Sequence, residues 1–204
     1  MLKNKILTVL FALMICLSLT GLGFSDEKKT YFTLGFHGSA LWLPRDKTVR
    51  DIYGSNFYPF GFYFRGELTE NFALEVATDF VFESGRPLTL WGEPSPYGTA
   101  SMTMIPIQIS GIYVISLERD FSPYIGGGFS KCTFKETLTM FGMSETASQS
   151  TVGFHLLFGV QRFWKNLGVK TEVRFLSASV EGIQGKVNIG GIGIYAGVMF
   201  RFGI

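Results

Sequence analysis

His37-Gly38-Ser39 places a base two residues from a hydroxyl nucleophile. On a strand that spacing puts both side chains on one face, where an acid such as Glu83 could orient the imidazole for acyl transfer. The spacing is common by chance, and both residues fall on the polar side of their strand. The expectation is therefore a structural pair and no catalytic residue. His155 is the second of two histidines in the chain and is expected to be a satisfied interior side chain rather than a metal ligand. Cys16 lies in an apolar leader, which leaves Cys132 as a single packed thiol. No disulfide, cysteine-rich metal site or cofactor is expected.

Charged residues make a larger constellation. Arg65, Glu67, Glu75, Asp79, Glu83, His155, Lys170, Glu172, Arg174 and Arg201 all fall on the polar parity of strands whose other face is apolar. In a narrow lumen such charges must pair, because an unpaired buried charge is costly. The tight turn Thr69-Glu70-Asn71 places Arg65 opposite Glu75, and the next tight turn places His155 opposite Arg174. The network reads as a salt-bridge plug, with a narrow ion path as the sharper alternative.

Eight alternating segments position these residues. They are Tyr31 to Leu43, Phe57 to Leu68, Phe72 to Glu83, Met102 to Ser116, Pro123 to Phe134, Thr151 to Arg162, Leu167 to Ser177 and Gly190 to Ile204. In the third, Phe72, Leu74, Val76, Phe80 and Phe82 alternate with Ala73, Glu75, Ala77, Asp79 and Glu83. The fifth is glycine-rich, and its facing stays open. Phe32, Trp42, Tyr58, Phe72, Phe82 and Phe202 sit near strand ends on the apolar side, as interface aromatics would. Connections alternate in length. Leu43 to Phe57, Ser84 to Ser101 and Lys135 to Ser150 are long, while Thr69 to Asn71, Leu117 to Ser122 and Phe163 to Asn166 are short. Ala178 to Gly185 is intermediate. Strands of 11 to 15 residues with this rhythm suit a tilted membrane crossing, with long external loops and short periplasmic turns.

The N-terminus carries Lys3 and Lys5, an apolar run from Ile6 to Leu19, and then Gly21, Gly23 and Ser25. This is the pattern of a secretory signal peptide over residues 1–25, cut after Ser25. A single barrel domain over 26–204 remains. Without Lys3 and Lys5 the chain has 16 cationic residues against 16 acidic ones, which gives no pull toward nucleic acid. Its 25 glycines and 21 phenylalanines suit twisted, aromatic-rich strands.

On these grounds the chain resembles the small eight-stranded outer-membrane barrels of the OmpA/OmpX type. Pro123-Tyr124-Ile125-Gly126-Gly127-Gly128 is similar to a Pro-Tyr, glycine-rich strand of that family, and Tyr195-x-Gly197-x-x-Phe200-x-Phe202 to its C-terminal assembly signal. Gly203-Ile204 extends past the aromatic on which such chains usually end. The resemblance implies an all-β, up-and-down transmembrane barrel in the outer membrane of a Gram-negative-type bacterium. It implies contact with outer-membrane lipid, the barrel-assembly machinery and periplasmic chaperones, a monomeric state, and a structural or surface-interaction role through long external loops. Trp91 to Tyr97 and Met140-Phe141-Gly142-Met143 are the loop segments of interest. Two alternatives remain open: a lipid A acyl hydrolase, because His37 and Ser39 resemble the pair in outer-membrane deacylases, and a soluble lipocalin-like barrel with its apolar face inward.

Overall fold

The computed structural model describes residues 31–89, 92–115, 121–183 and 185–203. The signal-peptide reading lies outside the described residues, as do Cys16, Trp91 and Ile204. Among the described residues, ten strands and one short helix follow in chain order: β1 (Tyr31–Pro44), α1 (Lys47–Tyr53), β2 (Phe60–Glu67), β3 (Phe72–Gly85), β4 (Gly98–Val114), β5 (Phe121–Met140), β6 (Met143–Trp164), β7 (Leu167–Ser177), β8 (Ser179–Gly182), β9 (Gly185–Asn188) and β10 (Gly191–Gly203). Eight strands close an antiparallel barrel in the order β1-β10-β7-β6-β5-β4-β3-β2, and β8 pairs with β9 in a separate hairpin.

Alternation decides which side chains face out. Phe62, Phe72, Ile109, Phe129, Phe154, Phe158, Val173, Val198 and Phe200 are exposed on the barrel exterior. Their neighbours of opposite parity are buried inside. This is the reverse of a soluble ligand-binding barrel. A continuous apolar exterior suits hydrocarbon, where closure also leaves no unpaired strand edge. The facing of β5 is settled as well. Tyr124, Ser130, Cys132, Phe134 and Leu138 point inward, while Phe121, Ile125 and Phe129 point outward.

Two sequence expectations are corrected here. In β1 the pairing to β10 shifts register between Ser39 and Leu41, and this bulge flips the parity beyond it. Trp42 therefore turns into the barrel at 2% exposure, instead of joining an exterior aromatic girdle. The segment from Lys135 to Ser150 is not a loop. β5 and β6 remain paired without interruption out to Met140 and Met143. Phe141 (φ 51°) and Gly142 (φ 78°) make a two-residue turn with both central residues left-handed, which matches the twist of a hairpin. A β-ribbon thus projects from the loop end of the barrel.

Two other connections, β1–β2 and β7–β10, pack on the loop-end core. Asp46 caps α1 by accepting hydrogen bonds from the Thr48 and Val49 N–H groups, at 2.8 and 3.4 Å. Val49, Ile52 and Tyr53 of that helix are buried. Between β7 and β10, the β8–β9 hairpin buries Val180 and Val187. Neither element has a period long enough to read from sequence.

Candidate functional site

The barrel interior divides into two zones. The zone toward the short turns is ionic. Arg65 donates from Nε and Nη2 to Glu75 Oε2, at 3.0 and 2.8 Å, and from Nη1 to Gln161 Oε1 at 2.6 Å. Lys170 Nζ lies 3.3 Å from Glu172 and 3.9 Å from Glu75. Arg174 donates two bonds to Glu172 Oε1, at 2.9 and 2.6 Å, and one to Asp79 at 2.9 Å. Gln108 and Tyr124 donate to Asp79 and Glu172. Arg65, Lys170 and Arg174 thus meet Glu75, Asp79 and Glu172, each acid with a cation, all six side chains at most 2% exposed. That pairing is what makes ionic burial tolerable.

Local geometry builds this cluster. The β2–β3 turn sets Arg65 opposite Glu75, as the sequence predicts. Lys170, Glu172 and Arg174 are spaced by two on β7 and so share its inner face. Tyrosine rings complete the packing: Lys170 Nζ lies 3.7 Å from the Tyr63 ring centre, and Arg174 lies over Tyr195 at 4.7 Å. Glycine makes room for them. A Cβ at Gly35 would fall 2.2 Å from the Tyr63 ring, and one at Gly159 2.5 Å from Tyr124.

Other predicted residues are placed differently. β6 sets His155 opposite Leu176, and Arg174 opposite Leu157, so the expected His155–Arg174 pair is two residues out of register. His155 instead sits between the hydroxyls of Ser110 and Ser130, each at 2.7 Å. Glu67 pairs with Arg201 at 2.7 Å on the partly exposed rim. Glu83, near the outer end of β3, meets the Tyr58 backbone instead of the cluster. His37 Nε2 contacts Asp79 Oδ1 at 2.5 Å, and the ring packs against Tyr63 and Tyr195. The Ser39 hydroxyl donates to the Ile194 carbonyl at 3.2 Å. Both residues face the interior, away from lipid.

The zone toward the loops is apolar. Trp42, Phe57, Val81, Met102, Met104, Cys132, Phe134, Leu176 and Ile189 pack there, together with Ile52 and Tyr53 of α1 and Val180 and Val187 of the β8–β9 hairpin. Two carboxylates fasten these coverings. Glu136 of β5 accepts from the Tyr53 hydroxyl at 2.7 Å and from the Ile183 N–H at 2.8 Å. Burial and the neighbouring Glu136 hold the Tyr53 hydroxyl well above the usual tyrosine range. Asp46 caps α1 with one oxygen and accepts the Asn188 N–H at 2.9 Å with the other, joining the two coverings. Sequence reading missed Asp46 and Glu136, although Asp46 before an apolar-spaced segment is a legible cap signal.

Of the residues read as an assembly signal, Tyr195 is buried against His37 and Trp42, and Gly197 pairs with His37 across β10 and β1. Phe200 is exposed outward, and Phe202 stacks on Phe32 at 5.9 Å. Among the described residues, no cluster of three His, Cys, Asp or Glu is arranged to hold a metal ion.

No family model and no curated protein matches the chain. Solved structures do. The outer membrane protein OprG of Pseudomonas aeruginosa matches with a TM-score of 0.66 at 15% identity, over 87% of this chain and 97% of that one. Neisserial surface protein A matches with a TM-score of 0.57 at 13% identity, over 86% of this chain and all of that one. Ail, the attachment invasion locus protein of Yersinia pestis in complex with the heparin analogue sucrose octasulfate, matches with a TM-score of 0.52 at 15% identity, over 87% of this chain and all of that one. The fold is that of the small eight-stranded outer-membrane barrels.

Proposed function

We propose that the mature chain is a closed, monomeric outer-membrane barrel that acts at the cell surface through its external elements, not as an enzyme or a conduit. The observation that carries this reading is the doubly filled interior. Balanced ion pairs fill one zone, and the other is an apolar core fastened by Asp46 and Glu136. What remains free is outside: the β5–β6 ribbon, with Phe141 and Met143 at its tip, each 73% exposed, and Tyr97 stacked on Phe141. Interior placement of His37 and Ser39 argues against lipid hydrolysis. Tyr195, Gly197, Phe200 and Phe202 serve as the signal read by the assembly machinery, reached with periplasmic chaperones after export.

The test trims the ribbon. Residues 138–145 are replaced by an Asn-Gly turn, and expressing cells are compared with full-chain cells for adhesion to one another and to heparin-coated plates. Folded barrel in the membrane with adhesion lost is the expected result. Adhesion unchanged by the trim would overturn the role assigned to the ribbon.

A further inference from the structure

The barrel itself has no strand edge, but its projection has one. β6 pairs with β7 only from Phe154 to Trp164, whereas it pairs with β5 along its whole length. From Met143 to Gly153, β6 therefore has no ladder partner on its second side among the described residues. The two-residue turn makes Met140 and Met143 a hydrogen-bonded pair, so odd-numbered residues of β6 bond to β5. Ser144, Thr146, Ser148 and Ser150 then direct their backbone N–H and C=O groups to the open side. β8 comes close to β6 without forming a ladder with it. The β8–β9 turn hangs from Glu136, the β5 residue opposite Ala147, so the open-side backbone groups from Ser144 to Ser150 keep no sheet partner among the described residues. The segment has no proline and no lysine, its register to β5 runs without a bulge, and Ser144 to Thr146 and Ser148 to Ser150 are exposed. Natural proteins normally block such an edge, because it is a template for another strand.

We propose that this edge pairs antiparallel with the same edge of a second copy held in an opposing membrane. The inference rests on the surface-acting reading above and names its partner. The sequence is self-complementary about Ala147. Antiparallel pairing centred there sets Thr146 against Ser148 of the second copy, Ser144 against Ser150 and Glu145 against Gln149. The one charge in the segment Met143 to Thr151 thus faces an amide and not its own image. The outward side chains already form hydroxyl rows across three strands: Thr99, Thr139 and Ser144, then Ser101, Thr137 and Thr146. Thr137 and Thr146 are hydrogen-bonded at 3.0 Å, and Thr139 and Ser144 at 3.2 Å. Self-pairing continues these rows into the second copy, as cross-strand hydroxyl pairs favour.

Geometry fixes the orientation of the second copy. β6 runs unbroken from the crossing segment into the ribbon, and barrel strands tilt about 35–45° from the membrane normal. An antiparallel partner of such a strand points the opposite way along that normal. Copies in one membrane share one orientation, so the partner belongs to a facing membrane. The contact is isologous and closes as a pair.

The test uses outer-membrane vesicles shed by cells that express the full chain and have truncated surface polysaccharide. Two vesicle populations carry different dyes and different tags on the protein. Mixed clusters are expected with the full chain. Ser148→Pro removes an N–H from the open side only, a position that an edge strand tolerates. It should cut clustering at least tenfold, whereas Arg86→Ala, an exposed change in the β3–β4 connection, should leave it unchanged. In a Cys132→Ser background, Ala147→Cys sits on the two-fold axis at a non-hydrogen-bonded pair, so oxidation should give a disulfide dimer carrying both tags. Clustering that survives Ser148→Pro without a mixed-tag dimer would overturn self-pairing and leave the surface-acting reading intact. Clustering that also survives the ribbon trim would overturn both. Absence of clustering and of the mixed-tag dimer for the full chain would overturn self-pairing, and adhesion to heparin-coated plates then judges the broader reading separately.

Discussion

The two interior zones solve one problem with opposite materials. Toward the turns, Arg65, Lys170 and Arg174 are buried against Glu75, Asp79 and Glu172. Toward the loops, Trp42, Met102, Met104, Phe134 and Leu176 pack as an ordinary apolar core. An eight-stranded barrel has an interior that side chains just fill, so either material closes it. The ionic zone uses only residues of the barrel wall. The apolar zone needs material from outside the wall, and α1 and the β8–β9 hairpin supply it. In the inner half the polar side chains come from the wall strands alone. The outer half is covered by elements that Asp46 and Glu136 hold in place.

The largest expected effect breaks the ionic zone. Arg174→Met leaves Glu172 and Asp79 short of a cation inside the barrel, at a cost of roughly 3–5 kcal/mol in reversible urea unfolding from vesicles. Within the same zone, Arg65→Met and Glu75→Leu each destabilise, and the double variant should lose clearly less than the sum of the two. Strict additivity in that cycle would show that the pair is not coupled. In the apolar zone, Met102→Ala removes buried volume with no charge left behind and should cost about 3 kcal/mol. Its double variant with Arg174→Met should be additive, because the two sites belong to separate clusters. The smallest effect falls on the coverings. Asp46→Ala removes the α1 cap at about 1 kcal/mol. By hydrogen exchange it should speed the amides of α1 and the β8–β9 hairpin and leave those around Arg65 and Arg174 unchanged.

The two zones were unequally legible in the sequence. The ionic one follows from strand parity plus one tight turn, so Arg65, Glu75, Asp79, Lys170, Glu172 and Arg174 emerge together. Its error, His155 against Arg174, came from counting across the β6–β7 turn, where the true partner of His155 is Leu176. The apolar zone was hidden for two physical reasons. A bulge after Ser39 flips Trp42 from the expected exterior to the interior, and a one-residue insertion leaves no compositional mark. The coverings are non-local, so only Asp46 ahead of Val49 and Ile52 hinted at them. The ribbon was missed because Ser, Thr and Gln between Lys135 and Ser150 read as loop chemistry, although their alternation carries the strand outward.

The most direct test of the two-zone account is conductance of the purified full chain in planar bilayers. The account predicts current indistinguishable from protein-free membranes at either polarity, because ion pairs close one half and an apolar core the other. It also predicts that Glu136→Ala, which frees only the outer coverings, stays silent, since the ionic zone still seals the barrel. Discrete, reproducible current steps from the unmodified folded chain would contradict it.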